Sequence, residues 1–423
     1  MKLSLKYNIK NANKIQNDII LDLIWHTRKI SNTLLYDIRE GKESIDLTKS
    51  LNIISSNIYT NYRKNNWHSE YLHSHMLQEA IISVIGSYKS YKKLRDMYEK
   101  DSTKLKGEPK FPRFKKDKTI QEIIFTKYAI RIDKNVLKLS ISKKMQEKYK
   151  VGSLNFLITR KLRKLIDFSS IKMIKIKKEE ENLEMNIIYE KEEKKKSEER
   201  NIMTIDIGLN NIVACTNKDN TNSLLISGRE LKSKNRYINE KISKLQQINM
   251  KKEGRGNKYK NTKQIKKWYK YRKNYMNTYM HKVSKMVIEY AKENRCGKIV
   301  IGNIKEIKYK MNYNNNFVQI PLQNLVNKII YKSKLEGIEV EKISEKYTSG
   351  VSALDEEEIT KESYNKKRRI SRGMFITNKV IKINADINGS LNILRKYIKK
   401  SSPNQEIAMD NGREQRPLKK RVA

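Results

Sequence analysis

Thiols are nearly absent from this chain of 423 residues, which holds only Cys215 and Cys296. Two cysteines cannot build a four-thiolate zinc site, no CxxC pair exists, and a disulfide framework is excluded. No structural zinc is expected, and the shortage fits a reducing compartment. Histidine is scarce too: there are five, none in a spaced metal motif. A GxxxxGK[ST] phosphate loop is missing, which argues against an ATP-driven motor. The opening MKLSLKYNIK lacks the apolar stretch of a secretory signal. No apolar run approaches the length of a membrane span, so a soluble intracellular protein is expected.

Acids are also in short supply. Asp plus Glu number 47 against 92 for Lys plus Arg, a formal net charge of +45. Such an excess opposes compaction unless a polyanion neutralises it. AT-rich codon usage would enrich Lys, Asn, Ile and Tyr, and would exchange Arg for Lys, but it would not deplete acids. The balance therefore points to nucleic acid. Several separate basic regions suggest a long or branched partner.

Two short stretches carry the acids that matter. In IMTIDIGLNN, residues 202–211, the apolar run of Ile202, Met203 and Ile205 closes on Asp206, and Gly208 follows. A buried-strand pattern that ends in a carboxylate and turns at glycine sets an acid at a sheet edge. There it can hold a metal ion or simply cap a turn. Far downstream, INADINGSLNIL at 383–394 sets Asp386 among Asn and Gly in the same way. Asn384 and Asn388 flank it, placed either to orient the carboxylate or to cap backbone.

The chain between these points divides readily. Leu3, Leu5, Tyr7 and Ile9 alternate with polar residues as in a half-buried strand. Residues 11–98 read as helices forming a separate domain, with apolar stripes through Ile15, Ile19 and Leu23 and through Leu72, Met76 and Ile81. Tyr88, Lys89, Tyr91, Lys92, Lys93 and Arg95 make one helix end basic and aromatic, suited either to a phosphate backbone or to a plain solvated face. GEPKFPRFKKDK at 107–118, with Arg113 between two Phe, bars a regular helix. Strand patterns dominate 120–190, including a hairpin turning at Asp133, Lys134 and Asn135. A small β-barrel is expected from residues 1–10 and 99–195, interrupted by the helical domain. The charged run 190–200 marks a boundary. Beyond it, strand–helix alternation over 196–398 predicts an α/β domain with a mixed sheet. That domain would carry a helical insertion at 229–293 and an irregular basic loop at 349–378, and a disordered tail would cover 399–423. The fold class is thus α/β multidomain.

Acids converging on that sheet would suit Mg²⁺ or Mn²⁺, which take hard oxygen ligands. Two ions about 4 Å apart stabilise an attacking water and the leaving oxygen of a phosphodiester.

At this point the residues resemble a known family. TIDIGLNN resembles the first RuvC motif of transposon-encoded TnpB proteins. HKVSKMVIEYAKENRCGKIVIGNIKEI at 281–307 resembles the approach to the second motif, and NADINGSLNILRK the third. GEPKFPRFKK resembles the stretch before the family's wedge strands. The similarity is spread over residues 1–398 with the motifs in order. It implies an RNase H-like (RuvC) nuclease domain, a wedge barrel and a helical recognition domain. It also implies an RNA-guided DNA endonuclease that carries a guide RNA from the transposon end. Such an enzyme reads a short motif beside its double-stranded DNA target and cuts both strands at one metal-dependent site. The implied setting is the bacterial cytoplasm, on the nucleoid when bound to DNA, as a monomer or weak dimer.

Two departures from the family pattern stand out. The second motif usually ends its strand with Glu, where IVIGN has Gly302. The family's zinc ribbon is absent, and residues 349–378 take its place. Glu345, in EVEKISEKYTSG, is the expected replacement acid, and the stretch resembles a TnpB subset in which the Glu is relocated. Its strand should lie beside residues 298–302 and parallel to them, and the C-terminal ends of parallel neighbours open on one face. Glu306 is the runner-up, and Asp355 to Glu358 read as a solvated loop. The expected catalytic and metal-holding set is therefore Asp206, Glu345 and Asp386. Ser74 and Gln78 are placed where the family's recognition helices approach the flanking motif, either to read it, since Gln can pair with adenine, or as plain helix surface. Lys89, Arg113, Lys266, Lys267, Lys270 and Arg272 are expected to face nucleic acid by shape and charge. A nuclease-dead, RNA-guided DNA-binding repressor is the alternative that Gly302 keeps open.

Overall fold

A computed structural model of the chain describes residues 1–9, 12–117, 121–179, 182–199, 201–219, 222–253, 261–303, 320–371, 373–401 and 416–422. It divides into two units, Met1–Lys191 and Glu192–Ala423. Together they make a mixed α/β multidomain fold.

The first unit opens with β1 (Lys2–Ile9), followed by α1 (Lys14–Arg39), α2 (Leu51–Asn65) and α3 (Ser74–Lys100). Helix α1 starts on a reciprocal cap: Asn13 Oδ1 accepts from Gln16 N–H, and Gln16 Oε1 accepts from Asn13 N–H, each at 2.8 Å. Strands follow: β2 (Glu122–Thr126), β3 (Ile130–Asp133) and β4 (Val136–Ser140). Then come α4 (Lys143–Tyr149), β5 (Ser153–Leu157), α5 (Arg160–Leu165), β6 (Ile171–Glu179) and β7 (Asn182–Glu190). The β3–β4 hairpin turns where the sequence predicts, with Lys134 in the left-handed region at φ 48°.

The strands do not close into one barrel among the described residues. They form a four-stranded sheet, β1-β7-β6-β2, and a separate three-stranded sheet, β3-β4-β5. The short helical turn Lys127–Ala129 ends β2 and redirects the chain before β3, so the ladder is interrupted there. Both sheets and the helices still share one core, which includes Ile20, Leu23, Ile81, Phe125, Leu139 and Ile187. Each such fully buried aliphatic or aromatic side chain contributes about 1.5–3 kcal/mol.

The second unit is built on a six-stranded sheet in the order β12-β11-β8-β9-β10-β15. Its elements are β8 (Asn201–Asp206), β9 (Asn211–Asn217), β10 (Leu224–Ser227), α6 (Arg229–Glu253), α7 (Lys263–Glu293) and β11 (Cys296–Gly302). They continue with α8 (Leu322–Leu335), β12 (Glu339–Ile343), β13 (Met374–Ile376), β14 (Lys382–Asn384), α9 (Ala385–Ser401) and β15 (Leu418–Lys420). Strands β8, β9 and β10 are antiparallel neighbours, while β11 runs parallel to both β8 and β12. Helices α7 and α8 share a core with the sheet through Met280, Val283, Leu325 and Ile329. Helix α9 packs Ile393 and Leu394 with Val300.

The expected disordered tail is corrected in part. Helix α9 runs to Ser401, and Leu418–Lys420 joins the sheet edge parallel to β10. The polar composition of residues 399–423 hides this because one edge strand needs only backbone partners and one anchor, the buried Val422. No helix among the described residues is long and apolar enough to cross a membrane.

Candidate active site

Asp206 ends β8 because the apolar run ends there. Met203 and Ile205 are fully buried, and the strand stops at the first acid. Parallel pairing aligns Ile205 with Ile301 on β11, and Gly302 with Ile343 on β12. The three strands therefore finish on one edge of the sheet, with Asp206, Gly302 and the approach to Glu345 side by side. Helix α9 brings the third acid. A buried hydroxyl cluster pins it across β8 and β9: Thr204 Oγ1 donates to the Ser390 carbonyl at 2.8 Å, and Ser390 Oγ donates to the Thr204 carbonyl at 3.1 Å. Thr216 Oγ1 lies 2.8 Å from Thr204 Oγ1. Gly389, one residue before Ser390, lets the helix approach closely; a Cβ there would stand 2.7 Å from Asp206 Oδ2.

Glu345 reaches the site from the segment after β12. A Cβ built at Gly302 would stand less than 3.0 Å from Glu345 Oε1, Cδ and Cγ. The carboxylate thus lies over the glycine, in the volume a longer side chain at 302 would need. Its backbone is braced by Thr348, whose N–H and Oγ1 donate to the Glu345 carbonyl at 3.2 and 2.9 Å. Asn392 on α9 then holds the Thr348 and Val351 carbonyls at 2.9 and 2.7 Å. Asn388 donates to the Val351 carbonyl at 2.8 Å and accepts from Ala353 N–H at 2.9 Å. Asn384 caps the helix, accepting from the Asp386 and Ile387 N–H groups at 3.0 and 3.3 Å. Asn388 and Asn392, one turn apart on α9, thus clamp the segment that follows Glu345.

The electrostatics follow from this crowding. Burial, then the Glu345 and Asp386 carboxylates, pushes Asp206 well above the ordinary carboxylate range. Arg369 and the Ile207 N–H act in the opposite direction. Asp386 is engaged at both oxygens: Asn211 Nδ2 donates to Oδ2 at 2.8 Å, and Arg369 Nη2 pairs with Oδ1 at 3.1 Å. Among the described residues, no three His, Cys, Asp or Glu side chains are gathered as a ready metal site. The oxygen-only donor set and its mutual repulsion nevertheless fit a hard divalent cation, which would relieve that repulsion.

Arg369 and Asn211 escape sequence reasoning. Arg369 lies in the irregular 349–378 segment, one cation among many, and only folding brings it to Asp386. Asn392 had a legible signal, the four-residue spacing from Asn384 and Asn388. The acidic run is solvated at Glu356 and Glu358, while its other two members are structural: Asp355 Oδ2 accepts from Asn378 N–H at 2.6 Å, and Glu357 pairs with Arg368 at 2.7 Å. Glu306 lies outside the described residues. Cys215 and Cys296 are core residues, and burial pushes the Cys296 thiol up to about 12.

The residues expected to face nucleic acid stand in varied settings. Ser74 opens α3 and Gln78 follows one turn later, both half-buried. Lys89 donates to the Lys49 carbonyl at 2.7 Å. Arg113 is exposed. On α7, Lys266 and Lys267 are exposed and Lys270 is half-buried. Arg272 donates to Asn235 Oδ1 at 2.8 Å on α6, and burial lowers its pKa. Lys89 and Arg272 thus make intramolecular contacts.

Comparison with known proteins places these features. Residues 186–308 match the model of the OrfB_IS605 family, described as a probable transposase, and residues 323–393 match the Cas12f1-like TNB domain. The first span holds Asp206 and the second holds Glu345 and Asp386. No curated protein matches the chain. A cryo-EM structure of a Cas12f1–sgRNA–target DNA complex aligns at TM-score 0.57 and 16% identity, covering 90% of this chain and 83% of that one. That likeness is one of fold. The mini-RNA-guided endonuclease CRISPR-Cas_phi3 aligns at TM-score 0.48 and 11% identity, covering 97% and 94%. A CRISPR-Cas12f ternary complex aligns at 0.38 and 18%, covering 93% and 82%. Overlaps at those two scores carry no further weight. The family matches agree with the TnpB-like resemblance of the sequence.

Proposed function

We propose that the chain is a transposon-associated, RNA-guided DNA endonuclease with a RuvC-type site formed by Asp206, Glu345 and Asp386. Guide RNA and double-stranded target DNA are its partners, and it cuts next to a short flanking motif. The observation that carries this reading is the Glu345 carboxylate lying over Gly302. An acid from the segment after β12 lies over the position that argued for a dead enzyme. The +45 charge and the fold shared with a guide-bound Cas12f1 support the nucleic-acid partners.

Asp206, Glu345 and Asp386 are the residues that would hold Mg²⁺ or Mn²⁺. The ions supply Lewis-acid stabilisation of the charge that develops on the attacking and leaving oxygens. The chain's own contribution is placement. The ends of β8 and β12 and the start of α9 fix the acids, and Asn388 and Asn392 on α9 hold the segment that follows Glu345. Asn211 orients the Asp386 carboxylate through Oδ2. Specificity comes from base pairing with the guide, while exposed α7 lysines such as Lys266 and Lys267 hold the duplex by charge and shape.

The test compares plasmid cleavage by wild type and Glu345→Ala, each with its cognate guide in Mg²⁺. Wild type should linearise a matched plasmid. The variant should lose more than about a hundredfold in rate while still binding guide and target. If both proteins cut equally, Glu345 is not a ligand. If neither cuts but both bind the matched target, the chain is a guided repressor.

A further inference from the structure

Strand β15 is a short basic segment seated at the edge of the nuclease-unit sheet. It pairs in parallel register with β10, Leu224 with Leu418 through Ile226 with Lys420. The Leu418 N–H donates to the Ser223 carbonyl at 2.7 Å. Val422 is buried in the core that also holds Met203 and Val287. The segment is thus fastened at both ends, and between those anchors it carries Lys419, Lys420 and Arg421.

These three residues line a cleft of about 670 Å³ whose wall includes Asp386. Arg229 and Glu230 line it as well, and the Tyr275 hydroxyl donates to Glu230 at 3.3 Å. The lining therefore holds four cations and two carboxylates, one of which belongs to the acid site. Among the described residues, no carboxylate pairs with Lys419, Lys420 or Arg421. Lysine on an edge strand also discourages sheet-to-sheet pairing. That role needs neither three consecutive cations nor a cleft that ends at an acid. In a chain already at +45, such a cluster is unfavourable unless a polyanion sits against it.

We propose that β15 and Arg421 form a backbone clamp that holds the DNA strand in the cleft leading to Asp386. The inference rests on the nuclease reading of the acid site. Lys419, Lys420 and Arg421 would contact phosphates flanking the one to be cut, and so act as positioning residues.

The test uses the full chain with its guide, in an Asp206→Ala background so that DNA is not consumed. The triple variant Lys419→Gln, Lys420→Gln, Arg421→Gln keeps the strand and Val422. Affinity for a matched target with an unpaired non-guide-complementary strand is measured over a salt series. The variant should bind about tenfold or more weakly, and its salt slope should fall by about 2, the value for three lost single-strand phosphate contacts. Guide RNA affinity and melting temperature should not change. Equal DNA affinity and slope would overturn the clamp, as would a parallel loss of guide affinity, because the cleft would then serve the RNA. A photo-crosslinking residue at position 419 gives a check that leaves the other cations in place. A DNA adduct supports the proposal; an RNA adduct alone, or none, overturns it. If the parent protein shows no preference for matched DNA, the nuclease reading itself fails. If the parent binds and the triple variant matches it, only the clamp fails.

Discussion

Adding one methyl group at Gly302 should disable the site without removing any ligand. The new Cβ would stand less than 3.0 Å from Oε1, Cδ and Cγ of Glu345. Real Cβ atoms do not approach neighbours that closely, so the carboxylate must move by on the order of 1 Å. The obstacle is the Glu345 side chain from Cγ outward and not backbone, so the side chain must turn about its own bonds while β11 stays in place. A displacement of about 1 Å in a catalytic group costs roughly a hundredfold in rate, or about 2.7 kcal/mol of transition-state stabilisation. Stability should not fall. Gly302 does not have a positive φ, and Gly→Ala at a compatible position restricts the unfolded chain, worth about 0.4–1 kcal/mol. The assay is single-turnover cleavage of a matched target by the Gly302→Ala protein with its guide in Mg²⁺. Target binding and thermal melting are measured alongside. The expected result is slow cutting with normal binding and an equal or slightly higher melting temperature. Cleavage at the wild-type rate would refute the argument, because Glu345 would then have no role that its position over Gly302 explains.

Other outcomes follow from the same geometry. Gly389→Ala should act in parallel on Asp206, whose Oδ2 would lie 2.7 Å from the added Cβ, and slower cleavage with intact DNA binding would register it. Asp206 has a raised pKa, so its stabilising contribution is complete below the ordinary carboxylate value of 3.8 and is lost as pH rises through the raised value. In EDTA at neutral pH, Asp206→Asn should therefore melt a few degrees above wild type, and the gap should close toward acid. Like carboxylates 4–6 Å apart repel by about 3–4 kcal/mol at an effective dielectric of 20, and partial exposure reduces this to about 1–2. Mg²⁺ should raise the wild-type melting temperature more than that of the variant, and equal shifts would count against metal binding here. Lys266→Ala or Lys267→Ala should each lower the salt slope of nucleic-acid binding by less than about 1, with little loss of cleavage, in a titration from low to moderate salt.

Patterns confined to one element were legible in the sequence. The apolar run ending at Asp206, the hairpin turning at Lys134 and the long helices of 229–253 and 263–293 each reflect a periodicity or a turn that a few neighbouring residues encode. Asp386 was legible for the same reason, since it sits inside a local stretch with its cap Asn384. Features that depend on pairing between distant segments were not. Among the described residues the strands of the expected barrel pair as two sheets around one core, with a short turn after β2 between them, and hydrophobic alternation does not specify which strands pair. The strand at Leu418–Lys420 was hidden because an edge strand is held by backbone hydrogen bonds, which side-chain composition does not report. Arg369 and Asn211 became site residues only when folding brought two segments to Asp386. Lys89 and Arg272, read as basic surface, donate to partners within the protein. The sequence by itself determined which acids end strands or open helices, because local apolar runs stop at charges. Only the tertiary structure decided that Glu345 and Asp386 both act on Asp206, because parallel strand order and the docking of α9 bring three distant segments to one edge, where the missing side chain of Gly302 leaves room for Glu345.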